Sequence, residues 1–269
     1  MESTLKNLFS RRDLLRELTL SELRSQAKET RLGWIWWLLD PAFMMLIYWG
    51  VIVGIFGRGV QYAPYPVFVL CAMLPWKHFS TAASQACNVL RSKEALIKSV
   101  PFPTMILPLS QILAGFAYLV VGMCVLLAAA LLFGVSLTPA VVQLVPLLLL
   151  QILVVSGICL MLASFGALVH DLVAFVQYVI RMLFYASPTL YGVDMVRERF
   201  AEVASGDWLL RIYLLNPFTI LFTGYRDAIF YGRFIPAEQW LCISAEALVL
   251  LVLGYRIFYY YDRRVIKFL

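Results

Sequence analysis

The chain has 269 residues, 62% hydrophobic and only 14% charged, whereas a soluble domain has roughly 45–50% apolar and ~25% charged residues. The excess falls in long apolar runs, which excludes an ordinary soluble domain and marks an all-α integral membrane protein. A net charge of +6 does not point to nucleic acid, because the basic residues stand between the apolar runs, where they meet anionic lipid head groups.

Residues 1–33 form a charged arm. Lys6, Arg11, Arg12, Arg16, Arg24, Lys28 and Arg31 alternate with acidic residues, and no apolar core precedes a small-residue cleavage site, so the arm does not read as a signal peptide. Leu14 and Leu18, then Leu20, Leu23 and Ala27, fall at helical spacing. The arm is therefore predicted to be an amphipathic helix lying in the membrane interface, packed on a partner, or both.

Residues 34–269 form a transmembrane domain in which six apolar stretches are long enough to span a bilayer. They run over about 34–56, 66–90, 104–133, 139–169, 172–191 and 237–258. Trp34, Trp36 and Trp37 at the first fit an interfacial aromatic belt, and Pro75 lies inside the second. Lys and Arg are frequent in the arm, between the second and third stretches (Arg91, Lys93, Lys98) and in the tail (Arg263, Arg264, Lys267). The positive-inside rule then places both termini in the cytoplasm of a multi-pass protein.

The connection over 192–236 is too long for a structureless loop. It divides into a charged stretch, an apolar stretch with Arg211, and a third stretch that Asn216-Pro217 opens and Gly232 closes. Two or three short helices dipping into the outer leaflet are predicted there.

No catalytic motif survives inspection. The chain has no GxxxxGK[ST] phosphate loop and no aspartate-rich pair, and its two histidines, His78 and His170, lie in different segments. Its five cysteines all sit in apolar runs and form no CxxC, so they read as small buried hydrophobes and no metal is expected. Three ionisable residues inside spans need partners or water: Lys77, Arg181 and Glu246. Arg181 and Glu246 either pair with each other, or Arg181 lines a polar passage. Tyr178, Arg181 and Tyr185 share a helix face that Thr189 extends. The proline-bounded segment 91–103, RSKEALIKSVPFP, is either a solvated turn or a helix that docks on a soluble partner.

Several of these segments resemble the polysaccharide-exporter permeases of the type 2 ABC transporter class. The first is ETRLGWIWWLLDPAFMMLIYW, with Leu32, Gly33, Trp36, Asp40 and Pro41 at the matching positions. Asp40 departs from the glutamate or asparagine the family pattern leads one to expect. The resemblance continues through LPWKHFS, SVPFPTMILPLS and NPFTILFTGYRDAIFYG, in order along the whole chain. HDLVAFVQYVIRMLFYASPTLY and NPFTILFTGYRDAIF are more similar to the members that export wall teichoic acid than to O-antigen or capsule exporters.

The resemblance implies a bacterial plasma-membrane subunit that pairs with a second copy of itself and with two copies of an ATPase subunit. ATP and magnesium belong to that ATPase, and this chain holds no cofactor. The cargo would be an undecaprenyl-diphosphate-linked polysaccharide moved from the cytoplasm to the outer face, wall teichoic acid first, with O-antigen or capsular polysaccharide as the alternative. The substrate path would be lined by Trp36, Phe43, Tyr48, Tyr178, Arg181, Tyr185 and Tyr191. Arg24, Lys28 and Arg31 would contact the lipid diphosphate. Arg91, Lys93, Glu94, Leu96, Ile97 and Lys98 would couple to the ATPase, and residues 192–236 would form outer gate helices. A self-sufficient ion-coupled carrier or a lipid-modifying enzyme is the rival, and its only support is the intramembrane charge.

Overall fold

The computed structural model describes residues 11–28, 35–55, 57, 62–100, 102–169, 171–203 and 206–268. Regular structure among them is helical throughout. In chain order the helices are α1 (Arg12–Lys28), α2 (Trp36–Tyr48, continued by a π-helical segment, Trp49–Ile55), α3 (Tyr65–Ser92), α4 (Glu94–Ser99) and α5 (Ile106–Leu132). After a 3-10 turn at Pro139–Gln143 come α6 (Leu144–Leu168), α7 (Leu172–Ala186), α8 (Val193–Ala201), α9 (Gly206–Leu214), α10 (Pro217–Ile229) and α11 (Ala237–Phe268). Each of the six apolar stretches is thus mainly helical. Three of them, Ile106–Leu132, Pro139–Leu168 and Ala237–Asp262, are long and apolar enough to cross a membrane on that criterion alone.

α3 is 28 residues long and mixed in composition, yet it is the core of the bundle, packed against α5, α6, α7 and α10. Pro75 lacks an amide proton, so one i→i−4 bond is missing from this helix. The buried Gln151 of α6 donates its side-chain N–H to the Pro75 carbonyl at 3.1 Å, tying the two helices at that point.

α6 and α11 approach by way of glycine. A Cβ on Gly157 would stand 2.4 Å from the Leu250 carbonyl carbon, and one on Gly254 would stand 2.1 Å from the Gly157 carbonyl oxygen. Small residues let helix backbones meet closely where lipid removes the hydrophobic drive for association.

At the end of the bundle bearing α1 and α4, Leu18, Leu96, Ile97 and Phe102 pack on a cluster that includes Val89, Leu90, Met105, Leu107 and Phe258. The apolar stripe of α1 therefore rests at least partly on protein. At the opposite end, α8 and α9 are largely exposed, but α10 is buried over most of its length. Asn216 caps α10, its Oδ1 accepting from the Phe218 amide at 3.1 Å, with Pro217 in the first turn, as the sequence predicts. Gly232 follows with φ +64°, a left-handed conformation that favours glycine and ends the segment.

Candidate functional site

Polar residues on α3 fall at Lys77, Ser80, Thr81, Ser84 and Gln85, one helix face at i, i+3, i+4, i+7 and i+8. Ser80, Thr81, Ser84 and Gln85 face Gln177, Arg181 and Tyr185 of α7 across an open groove of about 530 Å³. Trp76 and Phe184 close one end with rings 5.6 Å apart. Hydroxyls, amides, one guanidinium and several aromatic faces are a lining that suits carbohydrate, whose C–H faces stack on rings while its hydroxyls exchange hydrogen bonds.

Arg181 lies 5.8 Å from the Tyr178 ring and makes no ion pair among the described residues. The pairing with Glu246 considered from sequence is not formed. α7 packs on α3 and α6, whereas Glu246 sits on α11, which packs chiefly on α6. The Glu246 Oε2 is buried without a hydrogen-bond partner among the described residues. Phe175, Tyr178, Met182 and Tyr185 form an exposed apolar-aromatic edge beside the groove, with Tyr185 71% exposed.

Thr189 does not extend that edge. α7 stops at Ala186, two residues before Pro188, so the helical spacing cannot be carried past it. Thr189 is buried, with its hydroxyl donating to the Phe184 carbonyl. Tyr191 lies nearby, its hydroxyl donating to the Tyr185 carbonyl at 2.7 Å. Trp36 and Phe43 are exposed on α2 with ring centroids 6.5 Å apart. The side chain of Tyr48 lies outside the described residues.

Lys77 finds its partner in Asp40 of α2, the residue that departs from the expected family pattern. Lys77 needed an anion and Asp40 was unusual, and the structure joins the two.

Among the expected diphosphate contacts, Arg24 is exposed on α1, while Arg31 and the side chain of Lys28 lie outside the described residues. In the 91–103 segment, Arg91 donates to the Ala167 carbonyl at 3.1 Å and Lys93 pairs with Glu22 of α1 at 3.0 Å. Glu94 pairs with Lys98 along α4. Leu96 and Ile97 turn toward the chain's own cluster, leaving Ala95, Lys98, Ser99 and Val100 exposed.

One residue that sequence reasoning passed over is Arg226 of α10. It is 2% exposed. Its Nε donates to the Phe68 carbonyl at 3.1 Å, and its Nη1 and Nη2 to the carbonyls of Tyr191 and Thr189 at 2.8 Å each. The guanidinium lies 3.7 Å from the Phe68 ring centroid. Burial pushes its pKa down to about 10, so it remains a cation at neutral pH. The neighbouring Asp227 accepts from Arg233 at 2.6 Å, which offsets the rise that burial imposes on its carboxyl. The rings of Phe218 and Phe222, also on α10, meet Trp76 at 5.8 and 6.4 Å. α10 thus joins the α7–α8 link, the start of α3 and the end of the groove.

Comparison with known proteins gives a consistent result. Residues 13–230 match the ABC-2 type transporter family. An O-antigen export system permease protein of Myxococcus xanthus is 27% identical over 247 residues, 91% of each chain. One from Klebsiella pneumoniae is 25% identical over the same share. A polysialic acid transport protein of Escherichia coli is 27% identical over 84 residues, 31% of this chain and 33% of that protein.

Proposed function

Since the chain belongs to the ABC-2 type transporter family, we propose that it is the membrane subunit of a polysaccharide exporter driven by a separate ATPase. The observation that carries this reading is the groove between α3 and α7, where Arg181, without an ion pair among the described residues, lies among hydroxyls, amides and aromatic rings. The cargo is a glycan carried on a polyprenyl diphosphate. The relatives are named for O-antigen export and polysialic acid transport, so an O-antigen-type polysaccharide replaces wall teichoic acid as the leading substrate class. Teichoic acid stays as the second reading because a guanidinium with uncommitted donors also suits repeating phosphates.

Six membrane crossings, with both termini and α4 in the cytoplasm and α8, α9 and α10 at the outer face, complete the proposal. Two copies of the chain and two of the ATPase form the complex, with ATP and magnesium held by the ATPase. Arg24, Lys28 and Arg31 meet the lipid diphosphate near the cytoplasmic face, and α4 docks on the ATPase.

The test is ATP hydrolysis by the purified permease–ATPase complex in proteoliposomes. A polyprenyl-diphosphate-linked O-antigen oligosaccharide should stimulate it, and Arg181→Gln should abolish the stimulation. Stronger stimulation by a polyol-phosphate polymer would move the assignment to teichoic acid. An intact complex that answers to neither would overturn the reading.

A further inference from the structure

The two walls of the groove between α3 and α7 offer opposite hydrogen-bonding groups. On the α3 wall, the Ser80 hydroxyl donates to the Lys77 carbonyl at 3.2 Å and the Ser84 hydroxyl donates to the Ser80 carbonyl at 2.7 Å. A hydroxyl has one proton, so Ser80 and Ser84 keep only acceptor lone pairs for a ligand. On the α7 wall, Arg181 has N–H donors and no acceptor. Gln85 and Gln177 add amides that both give and accept. One wall therefore calls for O–H donors, and the other calls for an acceptor.

The charge is equally one-sided. Among the described residues that line the groove, Arg181 is the one ionised side chain and none is a carboxylate. Lys77, on the same face of α3, is already matched by Asp40. Asp171 precedes Arg181 by ten residues, about 15 Å along the helix. Arg181 itself is nine residues into α7, about 13 Å from its start. A cation at that depth of a bilayer is costly without water or a counterion. The described residues supply no counterion, and an anionic ligand would.

We propose that the groove selects a carboxylate-bearing sugar, such as a hexuronic acid, within the exported glycan, and that Arg181 determines this preference. The carboxylate takes the guanidinium fork through two parallel hydrogen bonds. The ring hydroxyls donate to Ser80 and Ser84, and the C–H face of the ring stacks on the exposed Tyr185. A neutral hexose meets the α3 wall in the same way but leaves the guanidinium without its anion. A polyol phosphate brings the anion but no ring face to stack. The inference rests on the reading of the chain as a polysaccharide exporter's membrane subunit, and it narrows which polysaccharide that subunit accepts.

The experiment is isothermal titration calorimetry of the detergent-purified permease–ATPase complex with three probes, each on a short polyprenyl diphosphate. The first is a tetrasaccharide of alternating glucuronate and N-acetylglucosamine. The second is its carboxyl-reduced form, in which each glucuronate has become glucose. The third is an oligo(glycerol phosphate). All three share the diphosphate, so differences between them report the polymer. The acidic tetrasaccharide should bind with a Kd roughly tenfold below that of the reduced form, the scale of one charge-assisted contact. Arg181→Gln should raise the acidic Kd to the neutral one, and its retained binding of the neutral form shows that the groove is intact. Equal affinity for the two tetrasaccharides, or a preference that survives in Arg181→Gln, would overturn the selectivity and leave the exporter reading standing. Tighter binding of the oligo(glycerol phosphate) would overturn it in favour of a phosphate polymer. A folded complex that binds none of the probes would overturn the exporter reading as well.

Discussion

Two arginines beside aromatic rings have opposite circumstances. Arg226 is buried, gives its donors to three backbone carbonyls and lies 3.7 Å from a phenylalanine ring. Arg181 is exposed in a polar groove, 5.8 Å from a tyrosine ring, with no ion pair among the described residues. A guanidinium has five N–H donors in a fixed fork. Where the protein itself fills that fork the residue is part of the scaffold, and where it leaves the fork open the donors are available to a ligand. The same side chain thus holds α10 in one place and faces the groove in another.

Arg226 should give the largest effect. Arg226→Met strips the Phe68, Thr189 and Tyr191 carbonyls of their shared donor, at about 3–5 kcal/mol, a large part of the stability of a typical domain. The expected result is loss of folded protein on size-exclusion chromatography in detergent. Arg226→Lys should rescue little, because a single ammonium on a flexible stem does not reproduce the planar fork. A well-folded, transport-competent Arg226→Met would break the distinction drawn between the two sites.

Arg181→Gln tests the other half. The thermal midpoint should move by no more than about 2 °C, since no partner among the described residues is orphaned. Export should fall by about tenfold or more, the scale of one lost charge-assisted contact. Adding Glu246→Gln should restore nothing. Recovery of stability or export in the double variant would mean that the two residues are coupled after all.

How far these sites were legible depends on where their partners lie. The polar face of α3 has a side-chain period in Lys77, Ser80, Thr81, Ser84 and Gln85, yet only Lys77 was singled out from it, because hydroxyls and amides within an apolar stretch stand out less than a charge. The start of α10 was legible because Asn216 and Pro217 act locally. Arg226 was not, because its partners are backbone carbonyls from two distant segments, which carry no residue-type signature. Thr189 was misplaced by running a helical period through Ser187-Pro188, where the helix had already ended. The Asp40–Lys77 pair joins residues 37 positions apart and shows in the sequence only as two separate anomalies.

The contrast between committed and open groups extends to α4 with a smaller effect. Leu96 packs toward the chain's own cluster, whereas Ala95 and Val100 are exposed. Cysteines at Ala95 and Val100 should therefore crosslink to the ATPase more efficiently than one at Leu96. If Leu96 gives the strongest crosslink, α4 rotates when the partner docks.

The smallest expected effect concerns the link between α1 and the end of α3. Glu22 and Lys93 pair at 3.0 Å with side chains 18% and 38% exposed. Ion pairs of this kind contribute ~0–1 kcal/mol, so Glu22→Gln should barely change the thermal midpoint. The pair nevertheless connects the N-terminal helix to the residue preceding α4, so with α4 docked as proposed it would carry force from α4 to α1. A double-mutant cycle over Glu22→Gln and Lys93→Gln, read both as stability and as transport per ATP hydrolysed, separates the two roles. A coupling energy near zero in stability with non-additive losses in transport efficiency would identify a mechanical link. Additive losses in both would make the pair an ordinary surface contact, and α1 would then move with the bundle through Leu18 and its apolar neighbours alone.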